Sequence, residues 1–400
     1  QRADSREGLA RAHDTTRAVA QMLDGPMPYL LLGANNGEMR AGSGMFLSAA
    51  PLGFDHGRLA LGDVRPTEQL VLPARSVAVT GDLAANWPWL DPGRDFRNLG
   101  LTADFPQSAA LARRMWANVP GGGPVGGVLA VDVDALRALL RVVGPVEVGG
   151  VRYTVDTVRG ELLHRQYDRF EGDRNARRDR LGDVARAVFV KVEAGDWKLD
   201  AMADALLQAV RGRHLLVWAA DPGTQEAWAG ANADGHLRAD SVSVAMLNRS
   251  AQKLDSYLDT KATVTSRHRS DGRIELALRY HVVNNAPTRG EQYVLGPNIA
   301  GLVAGEHRGI VVVNLPAGVS NVALTGATEI LQGADGPTAV VAAEVRLKRG
   351  ESVVVTVKAV LPRSLHHISL EPSARIPRTR WVVDGHGFAV DRRRTVPLGG

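Results

Sequence analysis

The sequence predicts two structural halves, a layered α/β domain followed by an all-β, sandwich-like domain. Three observations carry this expectation. Strand-like and helix-like apolar patterns alternate up to about residue 240. From about residue 260 the helical period is lost, and Val-rich runs of period two take over, separated by Gly, Pro and Asn. A chain of 400 residues also exceeds what one core ordinarily serves, so two or three domains are expected.

The elements follow in order. Residues 4–24 set Leu9, Ala12, Val19 and Leu23 in a charged frame, which predicts an amphipathic helix stopped by Gly25-Pro26. The apolar run 28–33 reads as a buried first strand, and 45–50 and 57–63 as strands around the turn 53–57. Residues 81–106, rich in Asn, Asp, Gly, Pro and Trp, read as loop; 108–118 reads as a helix with Ser108 as its cap. An apolar strand at 125–133 leads into a helix over 134–143, closed by Gly144-Pro145. A small hairpin at 146–153, helices over 175–193 and 199–211, and a strand at 215–219 complete the first half. The second half offers strands at 274–283, 309–315, 339–347 and 352–360. The expected boundaries are an N-terminal helix 1–25, an α/β domain 26–240, a β-domain 255–370 and an arginine-rich tail 371–400.

Composition narrows the chemistry. With 44% hydrophobic and 23% charged residues the chain is a folded globular one. There is no cysteine, which excludes disulfides, thiolate metal sites and thiol catalysis. A net charge of +5 suits anionic partners as well as a neutral surface with local basic patches. No finger, RNA-binding signature or long basic block occurs, so nucleic acid is not an expected partner. No run of eighteen apolar residues could span a membrane. The chain begins with Gln, read here as the start left after a removed signal or anchor helix, with an arbitrary boundary as the alternative.

Three stretches could carry chemistry. In residues 33–44 a buried strand delivers Asn35, Asn36, Glu38 and Arg40 among glycines, at the end of a sheet where α/β folds place ligands. A polar turn between strands is the bland alternative. In residues 159–180, Arg165, Arg169, Arg174, Arg177, Arg178 and Arg180 crowd together. Guanidinium groups grip phosphate bidentately and keep their proton, so a convergent set would clamp a pyrophosphate. A solvated charged face laced with Asp173, Asp179 and Asp183 fits the same spacing. Between them, Arg97, Asp95 and Asp104 occupy a long loop; either aspartate suits a hard cation such as Mg²⁺, although capping a helix is their commoner use. The histidines show no metal-binding spacing, and no GxSxG elbow is present.

With these residues in view, the chain resembles a large uncharacterised bacterial envelope family marked by an apolar strand followed by N-N-x-E-x-R. Here that stretch is Asn35-Asn36-Gly37-Glu38-Met39-Arg40, with further matches at 104–109, 127–132, Asn248, Lys253, Asp255 and Tyr257-Leu258. The first half is similar, more distantly, to the LytR–CpsA–Psr catalytic domain, through Arg40, Val131-Asp132, the run 144–148, and Gly172-Asp173-Arg174 with Arg177-Arg178. That resemblance implies transfer of glycopolymers from a polyprenyl-pyrophosphate carrier to the cell wall, with arginines on the pyrophosphate and acids on Mg²⁺. The sequence departs from it where Asn35 and Asn36 replace a metal-binding Asp, and where Arg178-Asp179 replaces Arg-Gln.

The resulting expectation is an extracytoplasmic envelope protein, membrane-anchored in its full length, that binds or transfers a phosphorylated or polyprenyl-pyrophosphate-linked glycan. Glu38, Arg40 and Asp104 are its catalytic candidates. Asn35, Asn36, Arg97, Arg169, Arg174, Arg177 and Arg178 are the phosphate and glycan ligands, and Asp95 and Asp104 the metal ligands. The rivals are a cell-wall glycan hydrolase drawing on Glu38, Asp95, Asp104 and Asp173, and a non-enzymatic envelope scaffold.

Overall fold

The structure, a computed structural model, describes the backbone of residues 2–169, 174–389 and 392–398, and their side chains outside 2–12, 174–179, 181 and 389. The protein is mixed α/β, with several sheets and more strand than helix. The first sheet is built from β1 (Tyr29–Met39), β2 (Gly44–Asp55), β3 (Arg58–Leu61), β4 (Arg65–Pro66) and β5 (Gly127–Val131). A hairpin of β6 (Val146–Val148) and β7 (Val151–Tyr153) stands apart, and β8 (Leu215–Ala219) closes the sheet in the order β3-β2-β1-β5-β8, with β4 on β2. Only β1 and β5 run parallel, joined through the helix Phe105–Ala117. One face is covered by the helices Arg2–Asp24 and Pro222–Gly230, where Ala18, Ala227 and Trp228 pack on Leu31 and Phe54. The helices Val133–Val143 and Arg174–Glu193 share a second cluster through Leu136, Leu140, Val184 and Val188.

The second half contains β9 (Ser241–Asn248), β10 (Leu258–His268), β11 (Ile274–Asn284), β12 (His307–Leu315), β13 (Ser320–Thr325) and β14 (Thr328–Asp335). It continues with β15 (Thr338–Leu347), β16 (Ser352–Val360), β17 (His367–Leu370), β18 (Arg380–Val383), β19 (His386–Ala389) and β20 (Arg394–Pro397). They form two six-stranded sheets, β13-β16-β11-β10-β18-β19 and β14-β15-β12-β9-β17-β20. Val244, Val311 and Val341 from one sheet and Leu276, Tyr280 and Val357 from the other meet in a common core.

Three expectations need correction. Residues 371–400, expected as a tail, supply β18, β19 and β20 to the two sheets. The boundary near 255 falls too late, because β9 already belongs to the second half. Ser108 does not cap its helix: the helix starts at Phe105, and the Ser108 hydroxyl donates to the Leu99 carbonyl.

The two halves share a core rather than touching at a surface. Every residue of β9 is buried. Val242, Val244 and Met246 face the opposing sheet, whereas Ala245 and Leu247 pack with Trp87, Leu99, Leu101 and Phe105 of the first half. Polar bonds reinforce this seam. The Asp335 carboxylate, at the end of β14, accepts from the Ala103 amide at 3.0 Å, from Asn314 Nδ2 at 3.0 Å and from the Thr102 hydroxyl.

Burial, helped by nearby Asp104, pushes Asp335 up to about 6 despite those donors. A carboxyl that holds its proton more tightly folded than unfolded contributes stability below pH 3.8, which fades as pH rises through 6. Asp335→Asn should therefore gain on the native protein by up to ~3 kcal/mol between pH 4 and 6. Urea unfolding of both across that window checks it; parallel curves would show that Asp335 titrates normally.

Candidate functional site

The site grows from the far end of β1. Pairing with β5 stops at Gly33↔Val131, yet β1 runs on to Met39 against β2 alone. Asn35 to Met39 thus project past the carboxyl edge of the parallel pair as a two-stranded extension, not as a loop. The hairpin is tight: a Cβ at Gly44 would sit 2.5 Å from the Asn35 carbonyl carbon, and one at Gly100 would press on the Arg40 side chain at 2.9 Å. Register shifts within the extension break the strict alternation of faces, so Asn35 and Glu38 both reach one cleft.

That cleft has a volume of about 600 Å³, well within the range of small-molecule sites. Its walls come from both halves: Gln166 and Tyr167, then Asp183 and Arg186 of helix Arg174–Glu193, and from the second half Lys253, Tyr293 and Asn298. Arg97 and Glu68 close another side. At its base Lys253 Nζ donates to Glu38 Oε2, both side chains being almost wholly buried. Burial disfavours the Lys253 ammonium, but the Glu38 carboxylate outweighs it and raises its pKa, so the lysine stays charged. The same ammonium lies 5.4 Å above the Tyr293 ring. Tyr167 accepts from Asn35 Nδ2 at 3.3 Å and is pushed up by burial, which keeps its hydroxyl protonated. The two tyrosine rings stand 5.8 Å apart.

The sequence candidates divide. Asn35, Glu38 and Arg97 line the cleft. Asn36 turns the other way, donating to Asp132 Oδ2 and to the Ala374 carbonyl, both at 2.8 Å. Asp132 also caps helix Val133–Val143 and accepts from His214, so Asn36 fixes the strand and contacts no cleft. Arg40 is buried away from solvent. Its guanidinium donates to the carbonyls of Arg97, Met39 and Asn248 at 2.9–3.1 Å, and burial pulls its pKa down to about 10. It fastens the hairpin and cannot meet a ligand, which corrects its expected place in the clamp. Arg169 pairs with Glu161 at 3.3 Å and is absent from the cleft lining. The side chains of Arg174, Arg177 and Arg178 lie outside the described residues, as does Asp173.

The expected metal ligands do not converge. Asp95 is gripped by Arg97 through Nε and Nη2. Asp104 accepts from the Leu237 amide at 3.0 Å and pairs with His236 Nδ1 at 2.7 Å. That bond raises the His236 pKa above its usual value. Among the described residues no group of three His, Asp or Glu is set to hold a metal ion. The arrangement does not fit Mg²⁺ held by Asp95 and Asp104.

The sequence reading left out of its site Lys253, Gln166, Tyr167, Tyr293, Glu68, Asp183 and Arg186. Lys253 carried one signal, its place among the matches to the envelope family, where it was given no role.

Comparison with known proteins adds one family. A family model described as a protein of unknown function (DUF4012) matches residues 24–167, a span that contains Asn35, Glu38, Arg97, Gln166 and Tyr167 but not Lys253 or Arg186. No curated protein matches. A solved structure from Legionella pneumophila, named provisionally as a nutrient-binding protein, is 8% identical over 36% of this chain, with a TM-score of 0.19. The match spans 48% of that protein's chain, and so slight a likeness decides neither fold nor function. No helix among the described residues is long and apolar enough to cross a membrane.

Proposed function

We propose that the protein binds a phosphorylated or otherwise anionic envelope glycan in this cleft, outside the cytoplasm, on an α/β half of LytR–CpsA–Psr-like design. The observation that carries the reading is the make-up of the cleft wall. Two tyrosine rings and the amides of Asn35, Gln166 and Asn298 stand among three cations, Lys253, Arg97 and Arg186. Rings offer flat apolar faces to a sugar, and amides and carboxylates answer its hydroxyls.

The charges decide where a phosphate would go. Three carboxylates, Glu38, Glu68 and Asp183, balance the three cations, so the cleft is not an indiscriminate anion trap. Lys253 is committed to Glu38 and Arg97 to Asp95. Arg186 makes no ion pair or hydrogen bond with another described residue and is the cation left to receive the anion. In a transfer reaction the same guanidinium would stabilise charge developing on phosphoryl oxygens, with Glu38 as the nearby carboxylate for proton movement.

Arg186→Ala should weaken binding of a phosphorylated glycan by about 1.5–3 kcal/mol, the worth of charge-assisted hydrogen bonds, and leave its dephosphorylated counterpart unaffected. Calorimetric titration of both glycans checks this. Equal affinity for the two, unchanged by the substitution, would remove the phosphate from the reading. The three carboxylates keep a hydrolase in play: turnover of unphosphorylated glycan, abolished by Glu68→Gln or Asp183→Asn, would favour it.

A further inference from the structure

We propose that Trp89 and Arg249 form an outer subsite that holds an acidic sugar of the same glycan, beyond the cleft; this inference rests on the glycan reading above. Trp89 is 58% exposed, an unusual outlay for the largest aromatic side chain, although a single exposed ring proves little by itself. What sets it apart is its setting. The Arg249 guanidinium carbon lies 5.3 Å from the ring centroid, and the buried Trp87 ring stands 6.2 Å away at 54°. The indole is therefore held in place by two neighbours while more than half of it faces solvent.

Arg249 is the second half of the argument. It is half-buried, with burial and the nearby Arg308 both pulling its pKa down. Its guanidinium makes no ion pair or hydrogen bond with any described residue, the Glu344 carboxylate acting on it only from a distance, so its planar fork of donors can take a carboxylate or phosphate. An indole with one face under a guanidinium and the rest open to solvent matches a pyranose ring carrying an anionic substituent. The C–H face would lie on the indole and the anion against Arg249.

Chain neighbours tie the pair to the cleft wall. Arg249 precedes the cleft residue Ala251 by two positions, a Cα separation of at most about 7 Å. On the other side, Asn98, next to cleft-lining Arg97, donates to the Leu90 carbonyl at 2.7 Å and so fixes the segment that carries Trp89. A chain of two or more sugars leaving the cleft past Arg97 and Ala251 would meet this plate.

The test uses the full chain and an array of acidic bacterial-envelope oligosaccharides of one to four sugars, each with its methyl-esterified or dephosphorylated counterpart. Trp89→Ala should weaken binding of the longer acidic members roughly tenfold, and Trp89→Phe should restore most of it. Arg249→Gln should weaken the acidic members but not the neutral ones. Single sugars should bind all three variants as they bind the native protein. If wild type binds the long acidic glycans and both Trp89→Ala and Arg249→Gln bind them equally well, the subsite is overturned while the cleft stands. If wild type binds no member of the array, the glycan reading fails and this inference fails with it.

Discussion

Replacing Lys253 with Met is expected to destabilise the protein by about 3–5 kcal/mol, because it strands the Glu38 carboxylate in the interior without its partner. Lys253 and Glu38 expose 2% and 8% of their side chains, so solvent does little to screen the loss. Glu38→Gln should cost a similar amount by stranding the ammonium. The double replacement, Glu38→Gln with Lys253→Met, should recover at least half, since desolvating two charges offsets much of what their attraction returns. The lysine pKa lies above its ordinary value, so the sign is fixed. With Glu38 ionised, the lysine's contribution is complete below pH 10.5 and disappears only as pH climbs through the raised folded value. Urea midpoints at pH 7 measure all three variants. A Lys253→Met protein within 1 kcal/mol of wild type would mean that water reaches the pair.

The second large effect is expected at Arg40. Arg40→Met should lower stability by about 3–4 kcal/mol, because three buried carbonyls lose a charged donor at once. Those carbonyls belong to Met39 on the hairpin, Arg97 in the cleft wall and Asn248 at the end of β9. Arg40→Lys should recover less than half, since one ammonium cannot reproduce a planar fork. Faster amide exchange at Ala41, which donates to the Gly100 carbonyl at 2.9 Å, would localise the damage to the hairpin tip. With the folded fraction held high, phosphate affinity should survive this change. A selective loss of phosphate binding would instead return Arg40 to the ligand.

Much of the fold was legible in amphipathic helices and in short, wholly apolar strands. The strand 215–219 and the helix 199–211 fell on the elements observed, Leu215–Ala219 and Leu199–Arg211. The reading failed at both extremes of burial. Strand β9 is covered on both faces, and its short Ser241-Val242-Ser243-Val244 alternation is lost in the apolar run Ala245-Met246-Leu247. Strands β13 and β14 lie at sheet edges and are largely exposed, leaving an apolar alternation only as long as Val322 and Leu324 in β13. The site was half legible for a different reason. Local spacing put Asn35 and Glu38 near a ligand position, but an arginine among glycines looks the same whether it serves a phosphate or three carbonyls. The pairing of Glu38 with Lys253 spans 215 positions, and nothing local encodes it.

The shared sheet also limits how a ligand can enter. Adjacent residues of β9 report to different partners, Val244 to the opposing sheet and Ala245 to the helices and loops of the first half. Rotating one half against the other would tear both contacts at once, so a swinging, clamshell motion is denied to this molecule. The cleft is consequently preformed. Any ligand bound there would cost the settling of a few side chains and the release of water, and selectivity would come from shape already present.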